Sequence, residues 1–268
     1  MKTLDGVQIL LKSGYGLCHI SNFSDELKQA LKNHLTRICH GETHSRSGYA
    51  MYRYKPTVEA FLERYEKKPA KTQKGMIGEF LSHIIINELL DNFETASPFF
   101  NLEEKSIKKG FDLLLYSTSD HKVWITEVKS GELRKGKDVN ETSQLLLSTA
   151  YNDLKTRLNE NEINHWANAM NAASIAISQH RNYKDVVLDL LAIEGEKTSE
   201  KKSTSTDNYV FFISSLFHDI KFKTIEKTVM DFQKSMVEKA EFADVFCFSI
   251  QKSTLNKVVD FLIEESKK

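Results

Sequence analysis

The run from Gly110 to Gly131, GFDLLLYSTSDHKVWITEVKSG, constrains the fold more than any other stretch of the chain. Lys105 to Tyr116 predicts a strand, with Phe111, Leu113 and Leu115 alternating around Asp112 and Leu114. Thr118 to Asp120 is a short polar turn. His121 to Lys129 predicts the next strand, with Val123, Ile125 and Glu127 on one side and Trp124, Thr126 and Val128 on the other. So short a connection joins antiparallel neighbours, so the two strands form a hairpin.

The flanks set this hairpin among helices. Gly75 to Phe93 carries Ile77, Leu81, Ile84, Ile85 and Leu89 along one broad helical face. Asn140 to Gln179 is a long helical region rich in Ala, Leu and Asn. Earlier in the chain, Val7 to Leu11 suggests a strand, Asp25 to Arg37 a helix capped by Ser24, and Thr57 to Tyr65 a helix just after Pro56. Lys67 to Lys74, polar and containing Pro69, reads as a connector. Lys184 to Ile193 suits a buried strand or a helix, the helix being preferred. Glu194 to Asp207 (EGEKTSEKKSTSTD) is expected to be a mobile surface loop. Tyr209 to Ser214 and Val245 to Ile250 are strand-like runs around a helix near Thr224 to Glu241, which suggests a crossover in a central sheet. A last helix is expected from Thr254 to Glu265.

Composition narrows the function classes. Thirty-seven Lys and Arg balance 37 Asp and Glu, which argues against a protein that grips nucleic acid by bulk charge. No run of about 18 uncharged apolar residues exists for a membrane span, and the segment from Met1 to Leu10 lacks a secretory apolar core. Three scattered cysteines (Cys18, Cys39, Cys247) fit a reducing cytoplasm. Cys18-His19 and Cys39-His40 with His44 match no common zinc spacing. Ser214, Ser215 and His218 lack a Gly-x-Ser-x-Gly elbow, and the glycines form no Walker-type phosphate loop.

The chemistry concentrates in the hairpin. Glu127 and Lys129, two apart on one strand, point to one face. Whether Asp112 joins them depends on hairpin register. Two convergent carboxylates suit Mg²⁺, with Mn²⁺ as an alternative, and leave positions for water and a phosphate oxygen. A lysine beside them suits positioning and charge stabilisation, since acting as a base would require a lowered pKa.

These residues resemble the PD-(D/E)xK nuclease motif: Asp112 stands at the first acidic position, Glu127 at the second, and Lys129 at the lysine. Glu79 in GMIGEFL matches the glutamate that the superfamily commonly adds on the preceding helix, and Phe111 replaces its proline. Gln144 and Tyr151, seven apart on the following helix, loosely match a Gln and a Tyr found near DNA in several branches; ordinary helix surface is the competing reading. More narrowly, the leader, GMIGEFLSHIIINEL, VWITEVKSG and YVFFISSLFHD are similar to the HamA-like nuclease subunit of the Hachiman anti-phage defence system, which is paired with a superfamily 2 helicase (HamB-like). The resemblance implies an α/β restriction-endonuclease-like core with a mixed central sheet. It further implies an N-terminal leader over residues 1–73 and a nuclease domain over 74–268 with a C-terminal strand-helix elaboration.

The implied activity is Mg²⁺-dependent cleavage of DNA, with Asp112, Glu127 and Glu79 at the metal and Lys129 acting on the nucleophile or transition state. Arg53 and Lys55, in a basic stretch interleaved with Tyr49, Tyr52 and Tyr54, are candidates for DNA contact, as are Lys135 and Lys137. A non-catalytic scaffold of nuclease fold and a stand-alone restriction-type endonuclease are the alternative readings.

Overall fold

The computed structural model describes residues 3–100, 110–253 and 255–268. A seven-stranded mixed sheet runs through the molecule in the order β1-β2-β7-β6-β5-β4-β3. Its strands are β1 (Val7–Lys12), β2 (Tyr15–Ile20), β3 (Phe93–Thr95), β4 (Leu113–Ser117), β5 (Val123–Glu132), β6 (Tyr209–Phe217) and β7 (Asp244–Lys252). The β2–β7, β7–β6 and β6–β5 pairs are parallel, whereas the β1–β2, β4–β5 and β3–β4 pairs are antiparallel. This is the mixed sheet expected of a nuclease-like α/β core. The chain before residue 74 supplies β1 and β2, the far edge of the same sheet.

Eight helices cover the two faces among the described residues: α1 (Asp25–Ser45), α2 (Tyr54–Glu66), α3 (Ala70–Leu89), α4 (Val139–Asn159), α5 (Ile163–Ala176), α6 (Lys184–Ser199), α7 (Glu226–Glu238) and α8 (Asn256–Ser266). Leu31 of α1, Phe61 of α2, Ile84 of α3 and Phe261 of α8 pack with Trp124 and Val128 of β5 into one apolar core. Leu147 of α4, Trp166 of α5, Leu191 of α6 and Phe232 of α7 pack with Ile125 of β5 into a second core on the other face. Alternation along β5 therefore places Glu127 and Lys129, in phase with Ile125, on the α4–α7 face.

Several sequence expectations need correction. The expected connector Lys67 to Lys74 is shorter, because Pro69 caps α3, which already runs from Ala70. α3 ends at Leu89, and Phe93 belongs to β3. The strand expected from Lys105 starts only at Leu113, so Asp112 precedes it; residues 105–109 lie outside the described residues. The region Asn140 to Gln179 is two helices, broken near Asn161, whose φ is 51°. Glu194 to Ser199 continues α6 rather than opening a loop. Glu196, Ser199 and Glu200 are exposed while Glu194 is partly buried against Lys197, so polar composition does not fix backbone conformation. β2 was not expected at all. Gly14, at φ 81°, supplies the left-handed turn that folds it back on β1.

Cys18, Cys39 and Cys247 are buried free thiols. No helix of the described residues is long and apolar enough to cross a membrane.

Candidate active site

The hairpin register brings the acids together. Leu113 of β4 pairs with Thr126 of β5, so the same antiparallel step sets Asp112 opposite Glu127. The backbone N–H of Val128 donates to Asp112 Oδ2 at 2.9 Å, pinning that carboxylate to the second strand. Glu127 is only 1% exposed, and Lys129 Nζ donates to its Oε1 at 2.7 Å.

Helix α4 adds two groups that sequence reasoning missed. Asp153 Oδ2 lies 2.8 Å from Lys129 Nζ. Arg157 Nη1 donates to Glu127 Oε2 at 2.8 Å and Nη2 to Oε1 at 3.4 Å, while Nη1 also reaches the Gly110 carbonyl at 3.5 Å. The only signal for them was an acid and a base four apart on a helix, which usually marks an exposed pair of little energetic weight.

The electrostatics follow from this packing. Burial, and then the neighbouring charge of Glu127, push the Asp112 carboxyl up to about 6. A carboxyl pushed up by burial and by a neighbouring carboxylate belongs to a site that favours an added cation. Burial works against the Lys129 charge, but Glu127 and Asp153 outweigh it, and its pKa lies above the ordinary lysine value. Lys129 thus stands as a cation between the Glu127 and Asp153 carboxylates.

Glu79, half-buried on α3, lines one cavity with Ser97, Phe99, Gly110, Asp112 and Asn168. Phe111, beside Asp112, stacks edge-on against Trp166 at 5.2 Å between ring centres. Among the described residues no group of three or more His, Cys, Asp or Glu side chains is arranged to hold a metal ion. The Asp112–Glu127 pair alone is still an oxygen donor set of the kind Mg²⁺ accepts, since that ion is commonly held by one or two carboxylates and keeps several waters.

The candidate DNA-contact residues are dispersed. Lys135 and Lys137 are exposed between β5 and α4, Lys137 lying 3.6 Å from Glu141. Arg53 and Lys55 are exposed at the start of α2. Gln144 is exposed on α4, but Tyr151 is buried: its hydroxyl donates to Glu241 and its ring packs edge-on against Phe212 and Phe242. Seven-residue spacing gives the two a common direction on the helix, yet β6 and the segment before β7 cover only the Tyr151 end. Tyr151 therefore has no DNA-facing surface. Tyr52 stacks on His44, Tyr54 donates to Glu265 at 3.0 Å, and Tyr49 is exposed.

The HamA family model matches residues 6–266 of the chain. No curated protein matches it.

Proposed function

The chain belongs to the HamA family, a component of the Hachiman anti-phage defence system, and from that premise we propose that it is the system's metal-dependent DNA nuclease. The observation that carries this reading is the convergence of Asp112, Glu127 and Lys129 on one face of the β4–β5 hairpin. Asp112 and Glu127 would hold Mg²⁺ or Mn²⁺, with Glu79 supporting the site from the adjoining cavity. The bound ion would polarise the phosphoryl oxygen and make a water more acidic.

The chain's own groups supply the rest. Lys129, tied to Glu127 and Asp153, is a positioned cation for the charge that builds on the phosphoryl oxygens. The Val128 N–H fixes Asp112 without contributing charge. DNA would approach across exposed Lys135 and Lys137, and across Arg53, Lys55 and Gln144 if the bound duplex extends that far. A superfamily 2 helicase would be the regulating partner.

The test is cleavage of plasmid DNA with Mg²⁺ and with chelator. Glu127→Gln and Lys129→Met, each with unchanged circular dichroism, should lose about a hundredfold or more in rate. Equal cleavage by the wild type and both variants would remove the assigned site. A wild type that is inert, both alone and with its helicase, would turn the molecule into a scaffold. A discrete ladder of products would instead point to a restriction-type enzyme.

A further inference from the structure

Glu127 has nowhere to put a metal ion while its present partners stay. Its two oxygens are held by Lys129 at 2.7 Å and by Arg157 at 2.8 Å, and the Arg157 fork spans both of them. A divalent cation placed on this carboxylate would meet two positive charges within hydrogen-bond distance of the same atoms, so one of them must withdraw.

The surroundings decide which. Lys129 has a second anion, Asp153, at 2.8 Å and stays neutralised if Glu127 is lost to it. Arg157's only hydrogen bond besides those to Glu127, among the described residues, is to the Gly110 carbonyl at 3.5 Å; Asp112 and Asp153 act on it only through their charge. It stands in the last turn of α4, where a long side chain swings without moving the helix. Exposure does not separate the two cations, at 22% for Arg157 and 24% for Lys129, but it gives the Arg157 guanidinium a path to solvent. A planar guanidinium released there matches the two oxygens of a phosphodiester.

We propose that Arg157 is a further catalytic residue, balancing Glu127 in the free chain and passing to the scissile phosphate when a divalent cation takes Glu127. The proposal rests on the nuclease reading of the same site. It makes Arg157 a competitor of the metal before DNA binds and a ligand of the DNA afterwards, two effects of opposite sign that a purely structural ion pair would not produce.

The experiment titrates Mg²⁺ alone into the full-length chain by calorimetry, without DNA, and measures DNA cleavage at saturating Mg²⁺. Arg157→Gln should bind Mg²⁺ about tenfold or more tightly, because the ion no longer displaces a cation paired with the buried carboxylate. The same variant should cleave about a hundredfold more slowly, because the phosphate loses its fork. Arg157→Lys keeps the charge without the fork; it should leave Mg²⁺ affinity near that of the wild type and slow cleavage about tenfold. If Arg157→Gln fails to fold, Arg157→Lys decides: cleavage equal to the wild type overturns the proposal. Unchanged or weaker Mg²⁺ binding by a folded Arg157→Gln, or undiminished cleavage, also overturns it. Glu127→Gln separates the two readings. If it abolishes Mg²⁺ binding while Arg157→Gln leaves affinity unaltered, only the role of Arg157 falls. If Glu127→Gln binds Mg²⁺ like the wild type, the nuclease site falls with it.

Discussion

Two buried titratable side chains show opposite solutions to the same problem. Glu127 is buried with Lys129 and Arg157 donating to both of its oxygens. His83 on α3 is fully buried, with no hydrogen-bond partner on either ring nitrogen among the described residues, and its ring meets Phe99 edge-on. Burial, helped by the nearby charge of Arg37, lowers its pKa from 6.5 to about 3. A histidine depressed in the folded state contributes stability that is present above the unfolded pKa and is lost as pH falls toward the folded one. The chain should therefore lose about 1.4 kcal/mol per pH unit from this residue between roughly pH 6 and pH 4. His83→Leu fills similar space without orphaned nitrogens. Urea denaturation at pH 7 and pH 5 should find it at least as stable as the wild type at pH 7, with a shallower loss at pH 5. An equal loss in both proteins would mean that His83 finds a partner in solution. The acids of the site were legible one by one, because carboxylates and a lysine stand out in an apolar hairpin. Arg157 was not, because nothing along α4 distinguishes an arginine that reaches Glu127 from one in water.

At the scale of elements, α3 and β5 meet through a glycine. A methyl group placed on Gly78 would lie 1.8 Å from Ser130 Oγ, 2.8 Å from Ser130 Cβ and 3.0 Å from Ser215 Oγ. Gly78 is thus what lets the helix carrying Glu79 lie close on the strand carrying Glu127 and Lys129. Gly78→Ala should cost about 1–3 kcal/mol in denaturant unfolding, by overpacking. Ser130→Ala alone should be nearly neutral, since its buried hydroxyl has no partner. Because it removes the nearest clashing atom, the double variant should recover part of the Gly78→Ala loss; simple additivity would show that the two residues do not press on each other. The hairpin and the strand-helix-strand crossover were readable because alternation and β-branched runs persist over several residues in each. β3 is too short to show a period, and the GMIGEFLSHIIINEL pattern before it ran on as helix. β2, YGLCHI, carries a glycine and a histidine, and its place in the sheet comes from pairing with β7, more than two hundred residues away. No local pattern encodes such a partner.

For the whole molecule, the proposed function raises the question of how a chain of zero net charge would hold a polyanion. The fold concentrates charge that the sequence kept apart. Lys74, at the start of α3, bridges to Glu132 at the end of β5 at 2.8 Å, which joins the basic stretch before α3 to the Arg134–Lys137 turn. Lys71, Arg134 and Lys135 are exposed and make no ion pair among the described residues. Three residue steps along β5, about 10 Å of extended chain, lead from Lys129 to Glu132. A duplex whose backbone lay on this rim would thus bring a phosphate toward the hairpin acids without a cationic surface elsewhere. Few phosphates would be neutralised, so binding by the isolated chain should be modest and should weaken with salt on a shallow slope. Lys71→Ala and Lys135→Ala should each lower the slope of log K against log salt by about one and weaken binding equally for unrelated sequences. Fluorescence anisotropy between about 50 and 200 mM salt measures both. If the slope is unchanged in both variants, the rim is not the track. If the isolated chain already binds tightly at physiological salt, the helicase is not needed for grip, and its control over cleavage must act on the catalytic groups themselves.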